Sequence, residues 1–568
     1  MAGRTLATKP NYIRCIIIFT FISFFLLLPT ILDVIFGFYQ ELYLLSLSRL
    51  VVSLLMFLMP LVFFYKNVKL YFYFLSVFVI LNPLFIATAL WFNARPNFSL
   101  VSFLLQTNVA EVREVTRGIL KPFLLISFLY LLLYLFTVYK FPLIKVSFKK
   151  AAAISLAAIV VNVIYIAVRK YNNQVLTSDI LEENYPVSLL SGLGQAYAFK
   201  QKNNLDQAEN FHFNAFRNDS VAKRQVHVLV IGESSRFDRW GINGYPKSTS
   251  PRLKARPNLI SFSQAISGSN LTWMAVPQII TRAVPTNLDL QLKEKSILAA
   301  FKDAGFKTVW LSNQSDKDIF WSGTITLHAK TADVAVFSPN TSPNFDSWTK
   351  EYHDERLLPL LDSIIKADNQ DIFFVLHTMG NHWEYTKRYP KSFDYFTPSG
   401  NTIGYLDTQS SATKAAISNS YDNSIRYADY VLDSVISTLN QHQLVSTVTF
   451  LSDHGEDLFD LSPNKIDFHV TPAPATLHIP FFIWTSENYK SLYPEKTSFL
   501  SAHQAKKIGT ENAFYTVLDL ANISFPGFDL RKSISSAIFQ ESAQMYYHNL
   551  DKKAYHYADL TRQASYKD

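Results

Sequence analysis

The run Phe450-Leu451-Ser452-Asp453-His454-Gly455-Glu456 sets a carboxylate and an imidazole side by side where an apolar segment ends. Three other segments answer it: Val230-Ile231-Gly232-Glu233-Ser234-Ser235-Arg236, Ser267-Gly268-Ser269-Asn270-Leu271-Thr272 running on to Val276-Pro277, and His377-Thr378-Met379-Gly380-Asn381-His382. Carboxylate, imidazole and hydroxyl oxygen are donors that zinc accepts. A zinc ion would let a weak hydroxyl nucleophile work near neutral pH. Each residue also has a plainer use. Glu233 could cap a helix beginning near Ser234. Asp453 could turn the chain and His454 satisfy a carbonyl, although the adjacent pair followed by Gly455 fits simple turn chemistry poorly. His382 and His469, taken singly, read as loop histidines.

The elements that must carry these residues favour a shared site. Short apolar runs at Val226–Ile231, Lys307–Leu311, Asp371–Leu376, Ser446–Leu451 and Pro480–Trp484 alternate with helical patterns. That alternation predicts a mainly parallel sheet covered on both faces. In such sheets ligands bind beyond the carboxyl ends of the strands. Glu233, His377 and Asp453-His454 all fall at or just after those ends.

The apolar weight of the chain lies in its first 170 residues. Five segments are long enough to cross a bilayer as helices: Ile13 to Phe36, Tyr43 to Tyr65, Leu70 to Phe92, Phe123 to Tyr139 and Ala151 to Val168. The first is too long for a cleavable signal peptide, and four more follow. Arg4, Lys9 and Arg14 precede the first segment, Lys66 and Lys69 join the second to the third, and Lys140, Lys145, Lys149 and Lys150 join the fourth to the fifth. These clusters share one side, which is then cytoplasmic. The loop 93–121 and everything after Arg169 are expected outside. Topology thus explains much of the net charge of +8, and no nucleic-acid partner is needed. The single cysteine, Cys15, excludes an intrachain disulfide. The organisation expected is a transmembrane domain over residues 1–170, a polar linker with bridging helices over 171–222, and a catalytic α/β domain over 223–568.

These motifs in this order resemble those of the membrane-bound phosphoethanolamine transferases of Gram-negative bacteria, within the alkaline-phosphatase-like superfamily. The resemblance rests on Gly232-Glu233-Ser234, the Thr272 segment, His377-x-Met379-Gly380-x-His382, Tyr421-Asp422-Asn423-Ser424-Ile425 and Ser452-Asp453-His454-Gly455-Glu456, and it covers nearly the whole chain. It implies five helices before a periplasmic alkaline-phosphatase-like domain, a multi-pass protein of the inner membrane, and a monomer. It also implies that Glu233, Thr272, Asp453 and His454 form the principal zinc site with Thr272 as nucleophile. His382 and His469 would hold a second cation or donate protons. Thr107, Asn108 and Glu111 in the outer loop match a substrate-binding pattern, and Thr107 and Asn108 equally suit a helix cap. Lys317 resembles a phosphate-binding lysine displaced by one residue, and as readily reads as a solvated side chain. The reaction implied moves phosphoethanolamine from phosphatidylethanolamine through a covalent threonine intermediate to lipid A, lipopolysaccharide core or another envelope glycan.

The chain also departs from the lipid A-modifying members. It lacks their disulfides: Ser267 and Gln278 stand near where a cysteine pair would flank the nucleophile. The segment from Gly268 to Val276 is one residue longer, which makes Ser269 the alternative nucleophile. A phosphoglycerol transferase would use the same threonine and metal logic. A formylglycine sulfatase would need Cys or Ser in a C/S-x-P-x-R context, which the sequence lacks. A non-catalytic membrane sensor of the same fold would be expected to have lost the ligands, and all four are present.

Overall fold

The computed structural model describes residues 12–36, 43–92, 120–173, 184–202, 204–218, 223–316, 323–338, 353–403, 411–463, 466–549 and 552–565. The chain divides into two compact units, with the division near residue 200. In the first, the helices are α1 (Tyr12–Phe36), α2 (Tyr43–Leu58, continued by a 3-10 turn to Phe64), α3 (Val68–Phe74), α4 (Ser76–Phe92), α5 (Leu120–Lys140) and α6 (Phe148–Asn173). They supply five stretches of 18 to 24 residues that are long and apolar enough to cross a membrane. A further helix, α7 (Val187–Lys202), lies in the stretch expected to be a linker.

Pro29 interrupts the hydrogen-bond ladder of α1, because proline has no N–H to offer the carbonyl four residues earlier. That carbonyl, Phe25 O, is served from neighbouring helices, by Asn82 Nδ2 at 2.8 Å and the Tyr130 hydroxyl at 2.5 Å. Such repair by neighbours is what makes a proline tolerable where water is absent. The amide oxygen of the fully buried Asn82 in turn accepts the Tyr185 hydroxyl. Asn82→Leu should therefore lower the thermal stability of the detergent-purified protein by about 1 kcal/mol, read as a shift in the melting of the helical signal.

The second unit is built on a seven-stranded sheet. Its strands are β1 (Gln225–Gly232), β2 (Leu259–Ser261), β3 (Lys307–Ser312), β4 (Val334–Phe337), β5 (Ile372–His377), β6 (Val445–Ser452) and β7 (Phe481–Thr485), in the order β2-β7-β6-β1-β5-β3-β4. All neighbouring pairs are parallel except those made by β7, which runs against β2 and β6. The sheet is thus mainly parallel, as the alternation of strands and helices predicts. The two strands without a sequence signal, β2 and β4, are edge strands of three and four residues, too short for an apolar period to register.

Period-2 alternation divides each central strand between two cores. Val226, Val228 and Val230 of β1, with Ile372, Phe374 and Leu376 of β5, face one side. There they meet α9 (Leu357–Ala367) and α10 (Lys414–Gln441) through Leu361, Ile365, Ile425 and Leu432. Leu229, Ile231, Phe373 and Val375 face the other side. They pack towards α8 (Thr272–Ile280) and α11 (Glu511–Leu520) through Val276, Ile279, Phe514 and Leu518. With both faces covered, functional residues are confined to the strand ends. Gly232 of β1 lies in register with Ser452 of β6, and Ile231 with His377 of β5, so Glu233, Asp453 and His377 emerge from three adjacent strands at one edge.

Candidate metal centre

Glu233, Asp453 and His454 bring one donor atom each to within 4.8 Å of one another, and all three are buried. His454 Nε2 lies 3.3 Å from Glu233 Oε1 and 3.4 Å from Asp453 Oδ2. Its other ring nitrogen, Nδ1, is 2.7 Å from the Gly455 carbonyl. Nδ1 therefore carries the hydrogen that binds this carbonyl, and Nε2 is the nitrogen turned to the carboxylates. Thr272, the first residue of α8, places Oγ1 3.1 Å from both Glu233 Oε1 and His454 Nε2. A helix N-terminus favours negative charge at that hydroxyl or on a group bound to it.

The site is held by its backbone. Ser234 adopts φ +54°, a left-handed conformation that costs a residue with a Cβ on the order of 1 kcal/mol. The bend turns its N–H onto Asp453 Oδ1 at 3.1 Å and its hydroxyl onto Glu233 Oε1 at 3.1 Å. No helix begins at Ser234, so Glu233 is not a helix cap; the nearest helical turn is the 3-10 segment Phe237–Arg239. The Ser267 hydroxyl donates to the Asp453 carbonyl, joining the loop before Thr272 to the loop that bears Asp453 and His454. Gly380 has φ +48°, and a Cβ there would stand 2.7 Å from Glu233 N and 2.8 Å from Glu233 O. Gly380→Ala is accordingly expected to cost about 2 to 4 kcal/mol, combining left-handed strain with overpacking. Thermal unfolding of the metal-free protein would measure it.

The charges in this cluster are coupled. Burial, then the charge of Glu233, raise the Asp453 carboxyl to about 7. Burial works against a charged His454, but the Asp453 and Glu233 carboxylates outweigh it and lift the ring to about 10. Burial likewise opposes ionisation of Glu233, yet the hydrogen bond and charge of His454 hold it well below the usual carboxylate range. A proton on His454 thus neutralises part of a buried, acceptor-rich cluster, which is the place a dication would take. Asp453 Oδ2, fully buried and without a hydrogen-bond partner, fits that use: a lone acceptor oxygen aimed at the other donors. Two carboxylates, one imidazole and a hydroxyl match the donor set of zinc.

His382 and His469 stand beside this centre. The His469 ring lies 4.3 Å from that of His454 and 6.3 Å from that of His382, centroid to centroid. His469 Nδ1 is 3.5 Å from Glu456 Oε2, and His382 Nδ1 is 2.5 Å from the Trp383 carbonyl. His377 ends β5 but is not among the clustered donors; its Nδ1 is 3.4 Å from Ser312 Oγ, and burial lowers it to about 4, so it is neutral. Ser269 is buried, and its hydroxyl accepts the Leu271 N–H at 3.3 Å, whereas the Thr272 hydroxyl lies against Glu233 and His454. Thr107, Asn108, Glu111 and Lys317 lie outside the described residues.

Asp354 and Gln314, which the sequence analysis did not single out, also support the site, together with the Tyr421–Ile425 motif. Asp354 accepts the N–H groups of Met379 at 2.9 Å and Gly380 at 3.0 Å, with Asn313 Nδ2 at 2.8 Å, and so fixes the loop that bears His382. Gln314 Nε2 donates to Glu233 Oε2 at 3.0 Å. Its place after β3 could have flagged it, since strand ends are where ligands collect. The Tyr421–Ile425 motif, on α10, serves the loops from behind: the Tyr421 hydroxyl donates to Ser234 O at 2.7 Å, and Ser424 Oγ accepts Asn381 Nδ2 at 2.8 Å.

The chain matches the family described as sulfatase over residues 225–523, more than half of its length. It is 30% identical over 342 residues to phosphoethanolamine transferase EptC of Escherichia coli O18:K1:H7 (strain RS218 / NMEC), covering 58% of this chain and 56% of that protein. The chain thus spans about half the length of the curated relatives it matches. The zinc complex of the C-terminal periplasmic domain of Escherichia coli EptC aligns with a TM-score of 0.54 at 26% identity, covering 61% of this chain and 96% of that one. The integral membrane lipooligosaccharide phosphoethanolamine transferase A of Neisseria meningitidis aligns with a TM-score of 0.65 at 22% identity, over 91% of this chain and 98% of that one, and so shares the fold.

Proposed function

Because the chain belongs to the sulfatase family, we propose that it is a zinc-dependent phosphoethanolamine transferase that uses Thr272 as its nucleophile. The observation that carries this reading is Thr272 Oγ1 held 3.1 Å from both Glu233 Oε1 and His454 Nε2, at a centre whose Asp453 oxygen has no hydrogen-bond partner. The likeness to EptC, including its zinc-bound domain, supports the choice of group and metal. Glu233, Asp453, His454 and Thr272 would hold the ion. Bound there, zinc supplies Lewis acidity that favours the ionised form of a neighbouring hydroxyl and offsets charge on phosphoryl oxygens.

In the first half-reaction Thr272 Oγ loses its proton and attacks the phosphorus of phosphatidylethanolamine. An Oγ–P bond forms, the bond from phosphorus to the diacylglycerol oxygen breaks, and that oxygen takes up a proton. His382 and His469, beside His454, are the residues we assign to deliver that proton. In the second half a hydroxyl or phosphate of lipopolysaccharide or another envelope glycan attacks phosphorus, and Thr272 leaves and regains a proton. The five apolar helices suit a donor drawn from the bilayer, and the inner membrane with a periplasmic catalytic unit is the location this chemistry implies.

Incubation of the purified protein with phosphatidylethanolamine and zinc should release diacylglycerol. Release from phosphatidylglycerol alone would instead make the protein a phosphoglycerol transferase. The metal has its own pH signature. His454 holds its proton up to about pH 10 when no ion is bound, so zinc uptake must expel that proton. Zinc affinity should then rise roughly tenfold per pH unit between about pH 7 and 9, measured by competition with a chromogenic chelator in buffers of increasing pH.

A further inference from the structure

Each carboxylate of the centre turns one oxygen towards His454 Nε2 and has the other held by N–H donors. Asp453 Oδ1 accepts the N–H of Ser234 at 3.1 Å and of His454 at 2.7 Å, leaving Oδ2 3.4 Å from His454 Nε2. Glu233 Oε2 accepts Gln314 Nε2 at 3.0 Å, while Oε1 accepts the hydroxyls of Ser234 and Thr272, each at 3.1 Å, and lies 3.3 Å from His454 Nε2. The difference lies in the donors. Asp453 Oδ1 is tied by two main-chain N–H groups, whereas Glu233 Oε2 is held by one side chain, Gln314. The Gln314 amide is itself fixed, because Nε2 also donates to the Thr378 carbonyl at 2.9 Å, and Gln314 N–H donates to Ser312 Oγ at 3.0 Å. Facing two acceptors, the amide must present nitrogen and not oxygen.

We propose that Gln314 is a positioning residue that keeps Glu233 a one-oxygen zinc ligand and so preserves an open coordination position for the phosphoryl oxygen of the substrate. The inference rests on the zinc reading above. A carboxylate can meet a zinc ion with one oxygen or with both, and a donor engaged by one oxygen favours the single contact. With Glu233, Asp453, His454 and Thr272 each giving one atom, the protein supplies four donors, and the centre can expand to five during reaction. A second oxygen from Glu233 would fill the fifth place. Partners of this kind, which orient a ligand without touching the ion, typically change metal affinity or activity by about 10- to 100-fold.

The test uses the full-length protein loaded with one equivalent of zinc and compares the wild type with Gln314→Met, which keeps the length of the side chain and removes its donor. X-ray absorption at the zinc edge should show the average number of oxygen and nitrogen neighbours rising by about one. Turnover should fall roughly 10- to 100-fold, with little change in the donor-lipid KM. Gln314→Asn, which retains an amide but withdraws it from Glu233, should give the same spectrum; it decides the matter if metal-free melting curves show the methionine variant misfolded. A wild-type spectrum in a folded variant would overturn the role of Gln314 while leaving the zinc reading intact. A wild-type chain that takes up no zinc would remove that reading, and the inference with it.

Discussion

Thr272→Ala is expected to lower phosphoethanolamine transfer by about a thousandfold or more, the scale on which removal of a nucleophile acts when the rest of its site survives. Only the Oγ1 contacts to Glu233 and His454 are lost, and alanine at the first position of α8 is compatible with the helix. The folded metal-free protein should therefore keep its melting temperature, while zinc, left with three of its four protein donors, should bind more weakly. Thr272→Ser, which restores a hydroxyl without the methyl that fixes its rotamer, should recover part of the activity. Diacylglycerol release from phosphatidylethanolamine, followed beside the wild type, gives the comparison. Undiminished release by the alanine variant would mean that another group attacks phosphorus, and Ser269 would be the next hydroxyl to replace.

The second large effect is expected at Asp453. Asp453→Asn keeps an oxygen for the N–H groups of Ser234 and His454 but replaces the unpartnered Oδ2 with an amide nitrogen, a donor that cannot ligate a cation. Zinc affinity should fall at least about 100-fold, beyond what loss of an orienting partner causes, and transfer should fall with it. Metal-free stability is expected to hold or rise, because the change relieves the repulsion from Glu233 that helps push the Asp453 carboxyl up to about 7. Asp453→Ala differs: it strands two buried N–H donors and should cost about 1 to 3 kcal/mol for each group left unsatisfied. Zinc content by elemental analysis, with melting curves of both metal-free variants, separates the role in metal binding from the role in folding. An asparagine variant that retains stoichiometric zinc would remove Asp453 from the ligand set.

The parts of this architecture that were legible in the sequence are those set by period and by strand ends. Five apolar helices and five of the seven sheet strands stand where the pattern places them. Buried parallel strands such as Val226–Ile231 need apolar residues on both faces and so leave a continuous signature. The edge strands at Leu259 and Val334 are short and only partly buried, and the reversal of β7 depends on which edge the chain returns to, which local composition does not encode. At the site, the donors Glu233, Thr272, Asp453 and His454 stood in recognisable motifs. Their supports did not. Asp354 works through two loop amides, and Gln314 works through a single amide contact across 81 residues of chain. A side chain that orients another across that separation leaves no local spacing to read.

Peptide mass spectrometry of the detergent-purified protein, after incubation with phosphatidylethanolamine and zinc, tests the central claim most directly. The account predicts a phosphoethanolamine group on the peptide containing Thr272, absent from Thr272→Ala and discharged when lipopolysaccharide is added. An unmodified Thr272 in protein that is releasing diacylglycerol, or the adduct on Ser269, would contradict it.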